Sequence, residues 1–209
     1  RNLAEALVAS GQLGDQPVSE VTLFDVVPAA TQGAGGVQVK VETGDISDRA
    51  TMDALIAPRP EVIFHLAAIV SGEAEADFDK GYRINMDGTR HLFEAIRAIP
   101  GYHPRVVYTS SIAVFGAPFP EAIGDEFITA PMTSYGAQKM IGELLLNDYS
   151  RRGIFDGVGI RLPTIVVRPG KPNKAASGFF SGIIREPLAG LEAVLPVDDD
   201  VQHWVASPE

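Results

Sequence analysis

The feature that most constrains how this chain can fold is an alternation of two kinds of segment along its length. Five short runs are rich in β-branched residues and bounded by Gly, Pro, Asp or Ser: 21–26 (VTLFDV), 37–42 (VQVKVE), 61–67 (EVIFHLA), 105–110 (RVVYTS) and 157–167 (GVGIRLPTIVV). Runs of this kind read as buried strands. Helical patterns lie over 2–10, 48–57, 77–99 and 134–150. The second places Met52, Leu55 and Ile56 on one face. The third strings Phe78, Tyr82, Leu92, Phe93 and Ile96 along a stripe, and the fourth carries Met140, Ile141, Leu144, Leu145 and Tyr149. Gly153 stands just past the last pattern as a stop signal. Strand–helix alternation with near-continuous apolar strands predicts an α/β fold, a parallel sheet with helices on both faces. Such sheets bind ligands beyond the carboxyl ends of their strands, so candidate chemistry is sought where each strand stops. From Pro163 onward Pro and Gly crowd in (PTIVVRPGKPN) and the alternation is lost. That stretch reads as a long active-site loop leading into a second, incomplete lobe.

Composition narrows the function classes. With 45% apolar residues in 209, the chain is too apolar to be disordered. Charges or Gly/Pro interrupt every apolar run short of the roughly 20 residues of a membrane span, so no membrane association is expected. The absence of Cys excludes disulfides, thiol catalysis and thiolate metal sites, and makes the cytoplasm the default compartment. A net charge of −10 argues against a nucleic-acid partner, because an acidic surface repels phosphate backbones. One bound nucleotide remains compatible, since backbone N–H groups hold a phosphate without net charge. The four His are scattered without metal-ligand spacing, and His65, inside VIFHLAA, reads as a core histidine. The chain opens on Arg1 directly at a helical pattern and closes without a finishing element. Both ends read as cut from a chain of roughly 300 residues or more.

Several strand ends carry side chains suited to chemistry. Asp25 closes VTLFD, where an acid accepts hydrogen bonds from a ribose diol and repels a 2′-phosphate, pointing to NAD; a turn or capping Asp is the plain alternative. Asp45 ends the next strand in the same way and could equally be a helix N-cap. The G-x-G-x-x-G loop that should precede them is missing; Gly33-Ala34-Gly35-Gly36 leads into a strand and reads as a turn. The strongest constellation is Ser111, Tyr135 and Lys139. Tyr135 and Lys139 stand at i, i+4 and share a helix face. An ammonium beside a phenol lowers its pKa from about 10 and fits it to act as general base on a substrate hydroxyl. Ser111, at a strand end, can donate to the same oxygen.

The segments VTLFD, TGDIS, VIFHLAA, NMDGT, YTSSIAVFG, SYGAQK and RLPTIVVRPG stand in the order and spacing of the extended short-chain dehydrogenase/reductases. That family includes nucleotide-sugar epimerases and dehydratases, and the chain resembles it over nearly its whole length. HLAAIVSGEAEADFDKGYRIN, SYGAQK, NDYSRRG and RPGKPN are most similar to the D-erythronate dehydrogenase branch. The resemblance implies a Rossmann-like NAD-binding domain over 1–162, lacking its first strand and Gly-rich loop, and a partial substrate-binding region over 163–209. It implies Tyr135 as catalytic acid/base, Lys139 holding the nicotinamide ribose, and Ser111 polarising the reacting oxygen. Asp25 would bind the adenosine ribose, and Asp45 and Ile46 the adenine. Leu66, Ala67 and Ala68 would line the cofactor through their backbone. Asn85 would support that side of the pocket, and Pro163 and Thr164 would meet the nicotinamide end. Phe115 departs from the family's usual Tyr in a V-Y-G run.

Ser71 could meet substrate hydroxyls or belong to an ordinary loop. Arg168, Lys171 and Asn173 could recognise a carboxylate or sugar diphosphate, or form a solvated basic loop. The expected activity is NAD-dependent oxidation of a secondary hydroxyl of a small sugar acid, such as D-erythronate at its 2-hydroxyl. A nucleoside-diphosphate-sugar 4-epimerase would use the same catalytic residues. A cofactor-sensing protein without turnover would have no need of the Ser111/Tyr135/Lys139 set. The resemblance also implies a homodimer through the helices over 77–99 and 134–150.

Overall fold

The computed structural model describes residues 2–167 and 175–208. Helix α1 (Asn2–Ser10) leads into a small hairpin of β1 (Gln12–Leu13) and β2 (Gln16–Pro17). Next come β3 (Glu20–Asp25), β4 (Gln38–Thr43), α2 (Arg49–Ile56), β5 (Val62–His65), α3 (Ser71–Ala76) and α4 (Phe78–Gly81). A π-helical segment, Tyr82–Asp87, joins α4 to α5 (Gly88–Arg97). β6 (Arg105–Ser111) and a short turn of helix, Ile112–Val114, precede α6 (Ser134–Arg151) and β7 (Asp156–Leu162). The last elements are β8 (Thr164–Ile165), α7 (Phe179–Leu188) and β9 (Val205–Ala206).

The long strands all pair in parallel. β3 runs beside β4 from Glu20↔Gln38 to Asp25↔Thr43. β6 is central in a second sheet, with β5 on one side (Val62↔Arg105) and β7 on the other (Arg105↔Asp156 to Ser111↔Leu162). Among the described residues no ladder joins β3 to β5, so the expected parallel sheet is present as two blocks. The run 157–167 also divides. Pro163 has no N–H to continue the ladder, so β7 stops at Leu162 and β8 pairs with β9 instead. The stripe over 77–99 forms one helical path, interrupted by the π-helical segment. Gly35 and Gly36 turn with positive φ ahead of β4, as expected of the GAGG run.

The core lies on one face of the β5–β6–β7 block. Met52 and Ile56 of α2, Leu92, Phe93 and Ile96 of α5, Val106 and Tyr108 of β6 and Leu146 of α6 pack together with Phe155. Each large side chain so buried contributes roughly 1.5–3 kcal/mol. The helix starts are fixed locally: Asp48 accepts from the Ala50 and Thr51 N–H groups ahead of α2, and Thr133 accepts from Gly136 N–H ahead of α6. Along β7, Gly157 and Gly159 face α6, where a Cβ on Gly159 would stand 3.3 Å from Leu146. Val158, Ile160 and Leu162 point to the opposite face, and Ile160 is 44% exposed there. No helix among the described residues is long and apolar enough to cross a membrane.

His65 closes β5 inside the core, as its apolar setting in the sequence suggests. Its Nε2 lies 2.8 Å from Thr89 Oγ1, and its carbonyl accepts from Thr109 Oγ1 at 3.1 Å. Burial, with the Lys139 charge second, lowers its pKa to about 3. The unfolded chain therefore takes up this proton near pH 6.5 while the folded chain does not, so stability falls as pH drops through that value. Between pH 6.5 and 5 this one group should remove about 2 kcal/mol, and His203, also lowered by burial, acts in the same direction. Urea unfolding of a His65→Leu variant over that interval should show a flatter pH dependence than the parent. An unchanged slope would count against the buried neutral imidazole.

Candidate active site

Helix α6 carries Tyr135 and Lys139 on successive turns to the carboxyl end of β6. Its first turn is held twice, by the Thr133 cap and by Glu75 of α3, whose Oε1 accepts from Ser134 N–H at 2.5 Å. Close approach is possible because Gly136 presents no side chain; a Cβ there would collide with the Ala113 carbonyl oxygen. Lys139 is 4% exposed, and its Nζ donates to Thr109 O at 2.8 Å. The same nitrogen lies 5.1 Å from the Tyr108 ring centroid and 5.7 Å from that of Tyr135. Ser111, the last residue of β6, accepts from Ala113 N–H at 3.2 Å, and its hydroxyl is the neighbour that acts to lower the pKa of the Tyr135 phenol. The structure thus brings Ser111, Tyr135 and Lys139 together.

The electrostatics of the three differ from the expectation of a phenol lowered by its ammonium neighbour. Burial pushes Tyr135 above its ordinary value, with only the Ser111 hydrogen bond opposing it. Burial also pulls Lys139 down to about 8. The reason is geometric: the ammonium donates to the Thr109 carbonyl, it stands 5.7 Å from the centroid of the Tyr135 ring, and removal of the phenol from water dominates its pKa. The triad of the chain by itself is a neutral phenol beside a readily deprotonated amine.

Around this centre the other candidates occupy distinct places. Asp25 is exposed at the end of β3, its carboxylate making one local contact, to Val27 N–H at 3.4 Å. Asp45, after β4, is committed elsewhere. It accepts from the Ser47 hydroxyl at 2.6 Å, from Arg83 at 2.7 Å and from Ser47 N–H at 2.8 Å, which hold its carboxyl at about 2. Ile46 is turned into the core, where its Cγ2 would lie 2.8 Å from a Cβ on Gly88, leaving its backbone as what it can offer a ligand. Leu66 and Ala67 are exposed beyond β5 and Ala68 is half-buried. Ser71 opens α3 and accepts from Ala176 N–H at 3.1 Å, so it lies in a short helix instead of a loop. Pro163 is half-buried; Thr164 is buried, with Oγ1 2.8 Å from His203 Nε2. Arg168, Lys171 and Asn173 lie outside the described residues. Arg161 stacks its guanidinium 5.0 Å over the Phe115 ring and pairs with Glu143 at 2.8 Å.

Asn85 and Gln138 form a polar pair beneath the site. Asn85 accepts from Ile69 N–H at 2.9 Å and donates to Ile69 O at 3.3 Å and to Gln138 Oε1 at 2.8 Å. Gln138 Nε2 is buried without a partner among the described residues, a cost of roughly 1–3 kcal/mol. Gln138 is the residue the sequence reading passed over. The available signal was its i, i+3 position from Tyr135, on the inner side of the same helix.

The residues present suit a dinucleotide. The exposed backbone at 66–67, the exposed Asp25 carboxylate and the Ser111/Tyr135/Lys139 cluster lie beyond the ends of β5, β3 and β6 respectively. That is the edge at which parallel sheets hold nucleotides.

Comparison with known proteins agrees with this arrangement. The sequence profile described as "NAD dependent epimerase/dehydratase family" matches residues 1–204. A D-erythronate dehydrogenase of Cupriavidus necator is 52% identical over 99% of this chain and 64% of its own length. One of Haemophilus influenzae is 43% identical over 100% of this chain and 64% of its own length. The crystal structure of a nucleoside-diphosphate-sugar epimerase from Agrobacterium tumefaciens superposes with a TM-score of 0.93 at 62% identity, covering 100% of this chain and 62% of that one. The chain therefore spans a little under two thirds of the length of these relatives, and its fold is α/β and Rossmann-like.

The lowered Lys139 value has a measurable consequence. Folding strips water from an ammonium that in the unfolded chain keeps its proton to about 10.5, so the penalty is full below pH 8, fades as pH rises from 8 and is gone above 10.5. A Lys139→Met variant should be no less stable than the parent at pH 7. Its advantage in urea unfolding should shrink by pH 9.5, whereas a constant difference would mean the ammonium is not desolvated.

Proposed function

We propose, from the premise that the chain belongs to the NAD dependent epimerase/dehydratase family, that it is the catalytic part of an NAD-dependent dehydrogenase acting on a secondary hydroxyl of a small sugar acid. D-erythronate is the favoured substrate, because relatives bearing that name match the chain end to end. The observation that carries the reading is the convergence of Ser111, Tyr135 and a buried Lys139 at the end of β6.

Bound NAD supplies the acceptor for the hydride that leaves the substrate carbon. Everything else is done by the chain. Tyr135 Oη takes the hydroxyl proton as the carbon–oxygen bond becomes a carbonyl, and Ser111 holds the reacting oxygen against it. Lys139, with its spare N–H groups, hydrogen-bonds the nicotinamide ribose. Its charge, once water is excluded, favours the phenolate that burial alone disfavours. Asp25 receives the adenosine ribose hydroxyls and repels a 2′-phosphate. The backbone of Asp45 and Ile46 meets the adenine, and Pro163 and Thr164 border the nicotinamide end. Leu66, Ala67 and Ala68 form a wall of backbone, with Asn85 behind them.

Residues 1–162 would form the cofactor-binding domain and 163–209 the start of the substrate region. There Ser71 and, outside the described residues, Arg168, Lys171 and Asn173 would meet the substrate. A homodimer through α5 and α6 and a cytoplasmic setting complete the reading; Leu144, 56% exposed on α6, is the apolar side chain such an interface would cover. A nucleotide-sugar 4-epimerase is the second reading, favoured by the name of the Agrobacterium protein.

Incubating the full-length protein with NAD and D-erythronate should give steady NADH release. Conversion of a UDP-sugar without net NADH would favour the epimerase. Tyr135→Phe should lose about 10²–10⁴-fold in kcat while retaining NAD binding, and unchanged turnover would refute its role as base. Asp25→Asn should narrow the preference for NAD over NADP; a parent that already used both equally would remove the argument from Asp25.

A further inference from the structure

Between the backbone beyond β5 and helix α6 lies a buried amide pair, of which Asn85 stands behind the cofactor wall and Gln138 has no role in the chemistry above. Asn85 and Gln138 are 2% and 0% exposed. Asn85 grips both polar groups of Ile69, accepting from its N–H and donating to its carbonyl. The bond from Asn85 Nδ2 to Gln138 Oε1 fixes which way round the Asn85 amide stands. Turned over, Asn85 would set its oxygen against the Gln138 oxygen and its NH2 against the Ile69 N–H. Gln138 is fixed by the same logic, since reversing it would oppose two NH2 groups.

The placement is a tight one. Gln138 Nε2 has no partner among the described residues and lies against Gly81, where a Cβ would stand 2.7 Å away. An unbranched apolar side chain would fill the same space without a stranded donor. What it would lack is the acceptor that orients Asn85. Asn85 itself sits in the π-helical segment, whose widened turn is a departure from regular helix of a kind found often at functional sites. Gln138 and Lys139 are consecutive on α6, one reaching the backbone after β5 through Asn85, the other reaching β6 through Thr109 O. A single step along the helix thus ties it to two strand ends.

We propose that Gln138 is a positioning residue for cofactor binding: acting through Asn85, it sets the position of the 66–69 backbone relative to the Tyr135/Lys139 helix. That position defines the gap between the exposed backbone of Leu66 and Ala67 and the Lys139 ammonium. The proposal rests on the reading that this site takes NAD.

The test uses the full-length protein with Gln138→Met, which removes the acceptor, and Gln138→Glu. A buried Glu is neutral, so it keeps a carbonyl acceptor for Asn85 and replaces the stranded NH2 with a hydroxyl. Three quantities are read: the NAD dissociation constant, the hydrogen-exchange rate of the Ile69 amide in the ligand-free protein, and the pH profile of kcat. Gln138→Met should weaken NAD binding and raise its KM about tenfold, the scale of one lost interaction. It should also speed Ile69 exchange by a similar factor and leave the pH profile in place, since Tyr135 and Lys139 are untouched. Gln138→Glu should restore both NAD affinity and Ile69 protection to near the parent values.

Parent-like NAD affinity in Gln138→Met overturns the proposal. So does weakened binding that Gln138→Glu fails to restore, which would mark a packing role. Should the Met variant not fold, an unprotected Ile69 amide in the parent protein overturns it equally. A parent protein that binds no NAD, yet shows the protected Ile69 amide and its loss in Gln138→Met, would instead refute the functional reading and leave the clamp standing.

Discussion

Helix α6 can deliver a base to the end of β6 because two of its turns have nothing on their inner side. At Gly136 a Cβ would strike the Ala113 carbonyl, and at Gly142 it would strike the Tyr108 hydroxyl. With both gaps closed the helix axis sits low on the sheet, and the two inward-facing residues between the glycines are buried as a consequence. Gln138 and Lys139 occupy that interval, both almost fully enclosed. Enclosure then sets the chemistry. It lowers the Lys139 ammonium, raises the Tyr135 phenol, and leaves each short of solvent partners. A larger residue at either glycine would lift the helix and return both groups to water, where their pKa values would relax.

The electrostatic state that results is arranged for change on ligand binding. The phenol, above its ordinary value, is neutral, whereas the Lys139 ammonium, lowered to about 8, keeps its proton at neutral pH and carries the cost of its burial. A ligand that hydrogen-bonds the amine and excludes the remaining water strengthens the attraction between ammonium and phenolate, because the screening medium has gone.

Much of this was legible in the sequence, and the exceptions have physical causes. The β-branched runs at 21–26, 37–42, 61–67 and 105–110 matched β3 to β6 within a few residues, although only β5 and β6 are largely enclosed and β3 and β4 stay mostly exposed among the described residues. The i, i+4 spacing of Tyr135 and Lys139 placed them on one face without any tertiary information. Helix α3 was hidden because SGEAEA has no apolar stripe; its hold comes from Lys80 on Glu73, seven positions on, and from Glu75 on Ser134, 59 positions away in sequence. The single strand over 157–167 failed at Pro163, whose lack of a donor outranks the apolar run on both sides. The lowered phenol failed because sequence spacing gives proximity and carries no information about burial. Asp45 and Ile46 show the same limit, since a partner 38 positions away, Arg83, claims one and the core claims the other.

The two parallel blocks bear on how the site is completed. β3 pairs with β4, and β5 with β6, so among the described residues each of β3 and β5 keeps one edge with unpaired backbone groups. On β7 the Val158, Ile160 and Leu162 side chains form an apolar row opposite α6. Parallel sheets are stable when covered on both faces and paired along their edges. The relatives are about half as long again as this chain, which is polypeptide enough for such cover. Tyr135 and Lys139 are nevertheless placed from within, by Thr109, Glu75, Thr133 and the neighbouring Ser111, all inside the described residues. The positions of Ser111, Tyr135 and Lys139 are therefore set within the β5–β6–β7 block and the helices packed on it, independently of whatever covers the opposite row on β7.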